Sequence, residues 1–243
     1  MGLIRLVLTT LLLAAPASAH EVRRVVPLPG VGADDPRRPA NLRLAPWDAI
    51  GRVQTELGGR CTGVLVAPDR VLTAAHCLLA PRTGNFVQPR SVHFLLGYDR
   101  GRWTAEARVT GFATGEGYRR GGPHGADWAL LTLDRRIGDP RRVLPLLRQV
   151  PPARTPVMLG GYQQDRPEVL MADSDCRVLG VQRGPEGLPV IVHDCAGTRG
   201  ASGAPLLVQL PNGGWAVAGV LSAVNPDLAL GYAVPAAAVA RLE

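Results

Sequence analysis

From Pro46 onward the chain is a succession of short apolar runs cut by turn residues, about four to seven residues at a time. Val53–Leu57, Thr62–Ala67, Arg70–Thr73, Val92–Leu96, Ala105–Phe112 and Trp128–Leu133 form a first series. Pro156–Gly161, Arg177–Gln182, Val190–Asp194, Pro205–Leu210, Trp215–Ala223 and Gly231–Val234 form a second. Residues 140–152, bounded by prolines around an apolar centre, connect them. No helical pattern intervenes between the runs, which excludes an alternating strand–helix architecture and points to all-β barrels or sandwiches. The 29 Gly and 22 Pro supply the punctuation. Only Pro235–Leu242 reads as a short helix, with Pro near its first turn. With 46% hydrophobic and 19% charged residues, one domain or two tightly joined halves can bury a core.

The amino terminus reads differently. Arg5, the apolar stretch Leu6–Ala15 and the small residues Ala17-Ser18-Ala19 make residues 1–19 a signal peptide, cleaved before His20. The apolar stretch is too short to span a bilayer, and no later run is long enough, so no membrane span is expected. The mature protein is then secreted or periplasmic. Residues 20–45, rich in Pro and Arg and weakly periodic, read as a loosely ordered leader or propeptide-like arm before a folded region at 46–243. Export permits disulfides, and the four cysteines read as two bridges. Three pairings are possible; the local one joins Cys61 with Cys77 and Cys176 with Cys195, each bridge worth roughly 3 kcal/mol by loop closure. No Cys-x-x-Cys or paired Cys/His spacing suggests zinc. The formal charge is +7 and every basic residue is Arg, but the arginines are scattered without a basic run or helix. That is a compositional bias rather than a nucleic-acid or membrane surface.

Three segments carry chemistry. Leu72-Thr73-Ala74-Ala75-His76-Cys77 places a histidine beside a half-cystine at the end of an apolar strand, where it is held rigidly enough for a general base. In Gly125-Ala126-Asp127-Trp128-Ala129-Leu130-Leu131 a carboxylate precedes an apolar strand, where it stays charged only with a donor such as an imidazole N–H. In Thr198-Arg199-Gly200-Ala201-Ser202-Gly203-Ala204-Pro205-Leu206 small residues surround a serine, leaving room for a substrate carbonyl and for backbone N–H donors. Each segment alone has an ordinary structural explanation. In the order His, Asp, Ser on an exported all-β chain, they match one of the known solutions to a Ser-His-Asp triad. The other histidines, His20, His93 and His193, carry no such context, and His124 is a rival base without a motif.

Cys61-Thr62-Gly63, Thr73-Ala74-Ala75-His76-Cys77, Asp127-Trp128-Ala129-Leu130-Leu131 and Gly200-Ala201-Ser202-Gly203-Ala204-Pro205-Leu206 together resemble the trypsin/chymotrypsin-like serine peptidases, over Pro46 to the carboxyl terminus. The compact length and the Gly-x-Ser-Gly form are similar to the bacterial branch that includes the V8/glutamyl endopeptidase-like enzymes. The resemblance implies two antiparallel six-stranded β-barrels, at about 46–138 and 150–235, with the site in the cleft between them. It implies that Ser202 is the nucleophile, His76 its general base, Asp127 the residue that orients His76, and the Gly200 and Ser202 amides the oxyanion hole. Ser222, in Gly219-Val220-Leu221-Ser222-Ala223, matches the strand that lines the substrate backbone. The chemistry implied needs no cofactor or metal, and the expected partner is a protein or peptide substrate met by a monomer.

Two departures from the family follow. Ala201 stands where animal trypsins carry Asp before the serine, so activation by an ion pair from a new amino terminus to that Asp cannot operate. Leu221 stands where glutamate-specific members use His, and Ala196-Gly197-Thr198 offers no carboxylate for a basic side chain, so a small or apolar preference is expected. The competing reading is a catalytically silent homologue acting as an exported basic binding protein. An esterase with the same triad is the third, but its usual scaffold alternates strands and helices.

Overall fold

A computed structural model describes residues 28–32 and 34–240. The expected signal peptide, residues 1–19, and its cleavage point lie outside the described residues. The described strands are β1 (Arg38–Pro39), β2 (Ile50–Thr55), β3 (Arg60–Ala67), β4 (Arg70–Thr73), β5 (Val92–Leu96), β6 (Ala105–Thr114) and β7 (Ala129–Leu133), then β8 (Pro156–Gln163), β9 (Arg166–Arg183), β10 (Pro189–His193), β11 (Pro205–Gln209), β12 (Trp215–Asn225) and β13 (Leu230–Pro235). Each short run read from the sequence falls on one of β2 to β13. The fold is all-β and chymotrypsin-like, and among the described residues the helical elements are single 3-10 turns.

Strands β2-β3-β4-β7-β6-β5 close into an antiparallel barrel. The second sheet runs β1-β9-β10-β13-β12-β11-β8, and β9 also pairs with β8. That extra pairing brings six strands round into a ring and leaves β1 as an added edge on β9. The sequence explains the packing. In β6, Ala107 and Val109 are buried while Arg108 and Thr110 are exposed, the period-two signature of a strand with one wet face. β7 is apolar and buried on one face (Ala129, Leu131, Leu133) and half-buried on the other, which carries Leu130 and Thr132. Leu131 and Leu133 enter the first barrel's core, and Leu130 packs on the cluster between the barrels. Val53, Leu65, Val71 and Phe94 fill the first barrel, and Leu159, Val178, Ile191 and Leu206 the second. Ile50, Leu72, Leu170, Leu207, Val217 and Val220 weld the two together. Each such aliphatic side chain contributes about 1.5–3 kcal/mol by leaving water.

The disulfides follow the local pairing, Cys61–Cys77 and Cys176–Cys195. Three readings are corrected. The expected helix at Pro235–Leu242 is a 3-10 turn, Ala236–Ala238, with residues 241–243 outside the described part; Pro235 belongs to β13, and Ala236 and Val239 are drawn into the inter-barrel core. The run Arg177–Gln182 is the far end of an 18-residue strand; its near half holds a second apolar run, Val169–Ala172, which the polar stretch Asp173-Ser174-Asp175 separates from it. Asp173, buried there, takes the N–H groups of Ala196 and Asp175 in place of water. The arm is ordered from Asp34 to Ala45 rather than loose. Arg38 and Pro39 pair with Ala172 and Met171 of β9, and the wholly buried Arg37 side chain ion-pairs with Asp35 and Asp165. Charge and backbone pairing hold this segment, with only Ala40 and Leu42 packed on the inter-barrel core, so a hydrophobicity pattern passes over it.

Candidate active site

The same geometry builds the site twice. β4 and β7 are antiparallel, with Thr73 opposite Ala129, so the residues after β4 and before β7 meet at one end of the barrel. His76 lies in the 3-10 turn Ala75–Leu78 that follows β4. Asp127 ends the 3-10 turn His124–Ala126 that precedes β7, with φ −81° and ψ 61°. Side chains 51 residues apart therefore touch: His76 Nδ1 donates to Asp127 Oδ2 at 2.7 Å, and the His76 backbone N–H donates to Oδ1 at 2.9 Å. A carboxylate only accepts, so Nδ1 carries the hydrogen and Nε2 is left as the acceptor. In the second barrel β11 and β12 are antiparallel, with Pro205 opposite Val220, so the residues before β11 and after Val220 share an end. Ser202 and Ser222 are those residues.

Ser222 sits where the β12–β13 register shifts between Leu221 and Ala223, a bulge that takes it out of the ladder and re-aims its side chain. Its hydroxyl donates to Asp127 Oδ2 at 2.6 Å, joining the two barrels. Asp127 is only 4% exposed. Burial pushes its carboxyl up, but the His76 hydrogen bond and charge, the Ser222 hydroxyl and the His76 N–H outweigh it, and the group ends below the usual range. Tyr118 lines the same cavity as Asp127; burial first and then the Asp127 charge raise its phenol. Ser202 makes no hydrogen bond with His76 here. The two line adjoining cavities that share Ser222, one of about 180 Å³ holding Ser202 and one of about 220 Å³ holding His76 and Asp127. Nucleophile–base bonds of this kind often close only around substrate.

The loop bearing Ser202 is fixed through its backbone. The Thr62 N–H donates to Ser202 O at 2.8 Å, Thr62 Oγ1 to Gly200 O at 3.3 Å, and the Gln164 N–H to Arg199 O at 2.7 Å. The Ala201 N–H closes a turn onto Thr198 O at 3.0 Å, with Gly200 at φ +89°, a conformation that favours glycine. At Gly203, φ +79°, a methyl group would stand 2.2 Å from both Thr62 O and Thr73 Oγ1. Gln163 and Gln164 have structural roles here that no motif announced; Thr62 stood in the Cys61-Thr62-Gly63 motif without a role assigned to it. Cys61, His76 and Cys77 lie close enough to suggest a metal group, but the disulfide uses both sulfurs.

A family model described as a trypsin-like peptidase domain matches residues 61–220. The chain belongs to the trypsin-like peptidase family. A glutamyl endopeptidase of Bacillus licheniformis is 34% identical over 62 residues, 26% of this chain and 19% of that protein, so the matched stretch spans about a fifth of the relative's length. A solved Glu endopeptidase structure, in complex with MPD, superposes with a TM-score of 0.71 at 24% identity, covering 87% of this chain and 97% of the other. That likeness is one of fold. The named relatives agree with the bacterial branch that the Gly-x-Ser-Gly form suggested. Among the described residues no helix is long and apolar enough to cross a membrane.

Proposed function

We propose that this chain is a secreted serine endopeptidase that hydrolyses peptide bonds through an acyl-enzyme intermediate. Ser202 Oγ attacks the scissile carbonyl while His76 Nε2 takes its proton. His76 then gives that proton to the leaving amine, and a water repeats the sequence to free the acid. Asp127 fixes the imidazole tautomer and stabilises its charged form, and the amides of Gly200 and Ser202 receive the oxyanion. The observation that carries the reading is the Nδ1–H bond from His76 to a buried, ionised Asp127, at the barrel end that faces Ser222 and Ser202. An open cleft of about 640 Å³, lined by His124, Leu188, Ala223, Val224, Asn225 and Tyr232, suits an extended chain and hence cleavage inside it.

Specificity is read from the cavity of about 180 Å³ beside Ser202. Its walls include Leu221, Ala223 and Val224, which favour a small or apolar side chain before the cut bond. Labelling of the mature protein with a fluorophosphonate tests the mechanism. Labelling that disappears in Ser202→Ala is expected; no labelling, or equal labelling of the variant, overturns it in favour of a silent binding homologue. A peptide-library digest tests the pocket. Cleavage after glutamate would overturn the apolar reading and make Arg199, which also lines this cavity, the counter-charge.

A further inference from the structure

The oxyanion turn is held from the amino-terminal arm. Arg37 spends its guanidinium on three partners: Asp35 at 2.9 Å through both Nε and Nη2, Asp165 at 2.8 and 3.1 Å, and Gln163 Oε1 at 2.6 Å. The same Gln163 oxygen accepts the Thr198 N–H at 2.9 Å. An amide can present either its oxygen or its NH₂ to a neighbour. Arg37 can only donate, so it fixes the oxygen toward itself and thereby toward Thr198. The cost is visible in Gln163 Nε2, buried with no partner among the described residues. Thr198 opens the turn that carries Gly200 and leads directly into Ser202, closed by the Ala201 N–H. A second tie comes from the same arm, where the Gly197 N–H donates to Gly30 O at 3.0 Å. Ala201 is buried and uncharged and gives the turn no ion pair of its own.

We propose that Arg37 is a positioning residue for catalysis: through Gln163 it sets the Thr198–Ala201 turn, and with it the Gly200 amide and the following Ser202 amide that receive the oxyanion, so the arm is part of the catalytic unit. The inference rests on the serine-peptidase reading above. Arg37 touches neither substrate nor reacting atoms, so its removal acts on the step in which negative charge develops. In the full-length secreted protein, Arg37→Met and Gln163→Met should each lower kcat by about 10²-fold, the scale of losing an oxyanion donor, with KM within about threefold. Binding of a peptidyl boronate, which places an oxygen in the oxyanion site, should weaken by the same factor, while the matching peptide acid binds as before. Arg37→Met removes one charge from a buried cluster; if it does not accumulate folded, the uncharged exchange Gln163→Met carries the test alone. Folded Gln163→Met with unchanged kcat and boronate affinity overturns the proposal, as does a parallel loss of boronate and product binding. Fluorophosphonate labelling separates the two layers. A parent labelled at Ser202 with both variants labelled at the parent's rate defeats this inference alone, whereas an unlabelled parent defeats the peptidase reading and this one with it.

Discussion

In the first barrel β4 and β7 carry His76 and Asp127 just past their shared end, and in the second β11 and β12 carry Ser202 and Ser222 in the same way. The means of holding them differ. The first pair is joined side chain to side chain, with a second bond from the His76 backbone to the same carboxylate. The second pair is not joined to itself. Ser222 bonds Asp127 across the barrels, and the loop around Ser202 is held by its carbonyls and amides, through Thr62, Gln163 and Gln164. An imidazole and a carboxylate can find each other over small backbone shifts. The two amides of the proposed oxyanion site cannot, because each peptide plane has to be set. The first barrel therefore supplies a side-chain device and the second a backbone device.

Removing the charge from the first device has the largest expected effect. Asp127→Asn should keep the fold and lower kcat by about 10⁴-fold, because an amide NH₂ toward Nδ1 selects the wrong tautomer; steady-state kinetics beside a thermal midpoint decide it. A loss below tenfold would mean that Asp127 does not orient His76. The second device should fail through its backbone. Gly203→Ala puts a methyl group 2.2 Å from Thr62 O and Thr73 Oγ1 at a positive φ, and is expected to destabilise by about 3 kcal/mol or more. Urea unfolding measures that cost. In the folded fraction labelling at Ser202 should fall, while the downfield proton resonance of the His76–Asp127 bond persists. Loss of both together would show that the barrels do not hold their residues independently.

Acid should separate the barrels as well. His193, in β10, is buried with its Nδ1 accepting the Cys195 N–H, and burial lowers its pKa to about 4. The folded state therefore resists a proton that the unfolded chain takes below about pH 6.5, so this stability is present above that pH and is lost as pH falls toward about 4. The loss by pH 5 is on the order of 2 kcal/mol. Asp127 acts with the same sign in a lower window: its lowered carboxyl contributes stability present above about 3.8 that is lost only as pH falls below it. Unfolding free energies at pH 7, 5 and 3.5 for the parent and His193→Gln should show the parent losing more between the first two points. Equal slopes would remove His193 from the account.

These differences also mark what could be read in advance. Leu131 beside Ala129, and Val71 beside Leu72, show as strands because burial dictates apolar residues there. His76 and Ser202 show because a half-cystine and small neighbours frame them. Arg37 and Gln163 do not show, and Thr62 shows only as a member of the Cys61-Thr62-Gly63 motif. Each makes its decisive bond to a group far along the chain, 126 residues away for Arg37 to Gln163, and nothing in the local sequence marks an arginine as buried. Ser222 showed only its strand. The bulge that turns its hydroxyl onto Asp127 arises from a mismatch between β12 and β13, and periodicity within one strand does not record a mismatch with another.

The smallest expected effect is the most informative about the join. Ser222→Ala deletes the hydrogen bond from the second barrel to Asp127 Oδ2 and leaves both His76 bonds in place. One such bond to a charged acceptor is worth roughly 1.5 kcal/mol, about tenfold in rate if it is felt wholly at the imidazolium stage. The Asp127 carboxyl should rise toward its ordinary value, since the hydroxyl is one of the groups holding it down. A tenfold loss of kcat with unchanged KM would mean that the His76–Asp127 pair is nearly complete within its own barrel and that Ser222 only trims its charge. A loss near that of Asp127→Asn would mean the reverse: the side-chain device also depends on the second barrel, and the division between the two halves holds for their sequence signals but not for their chemistry.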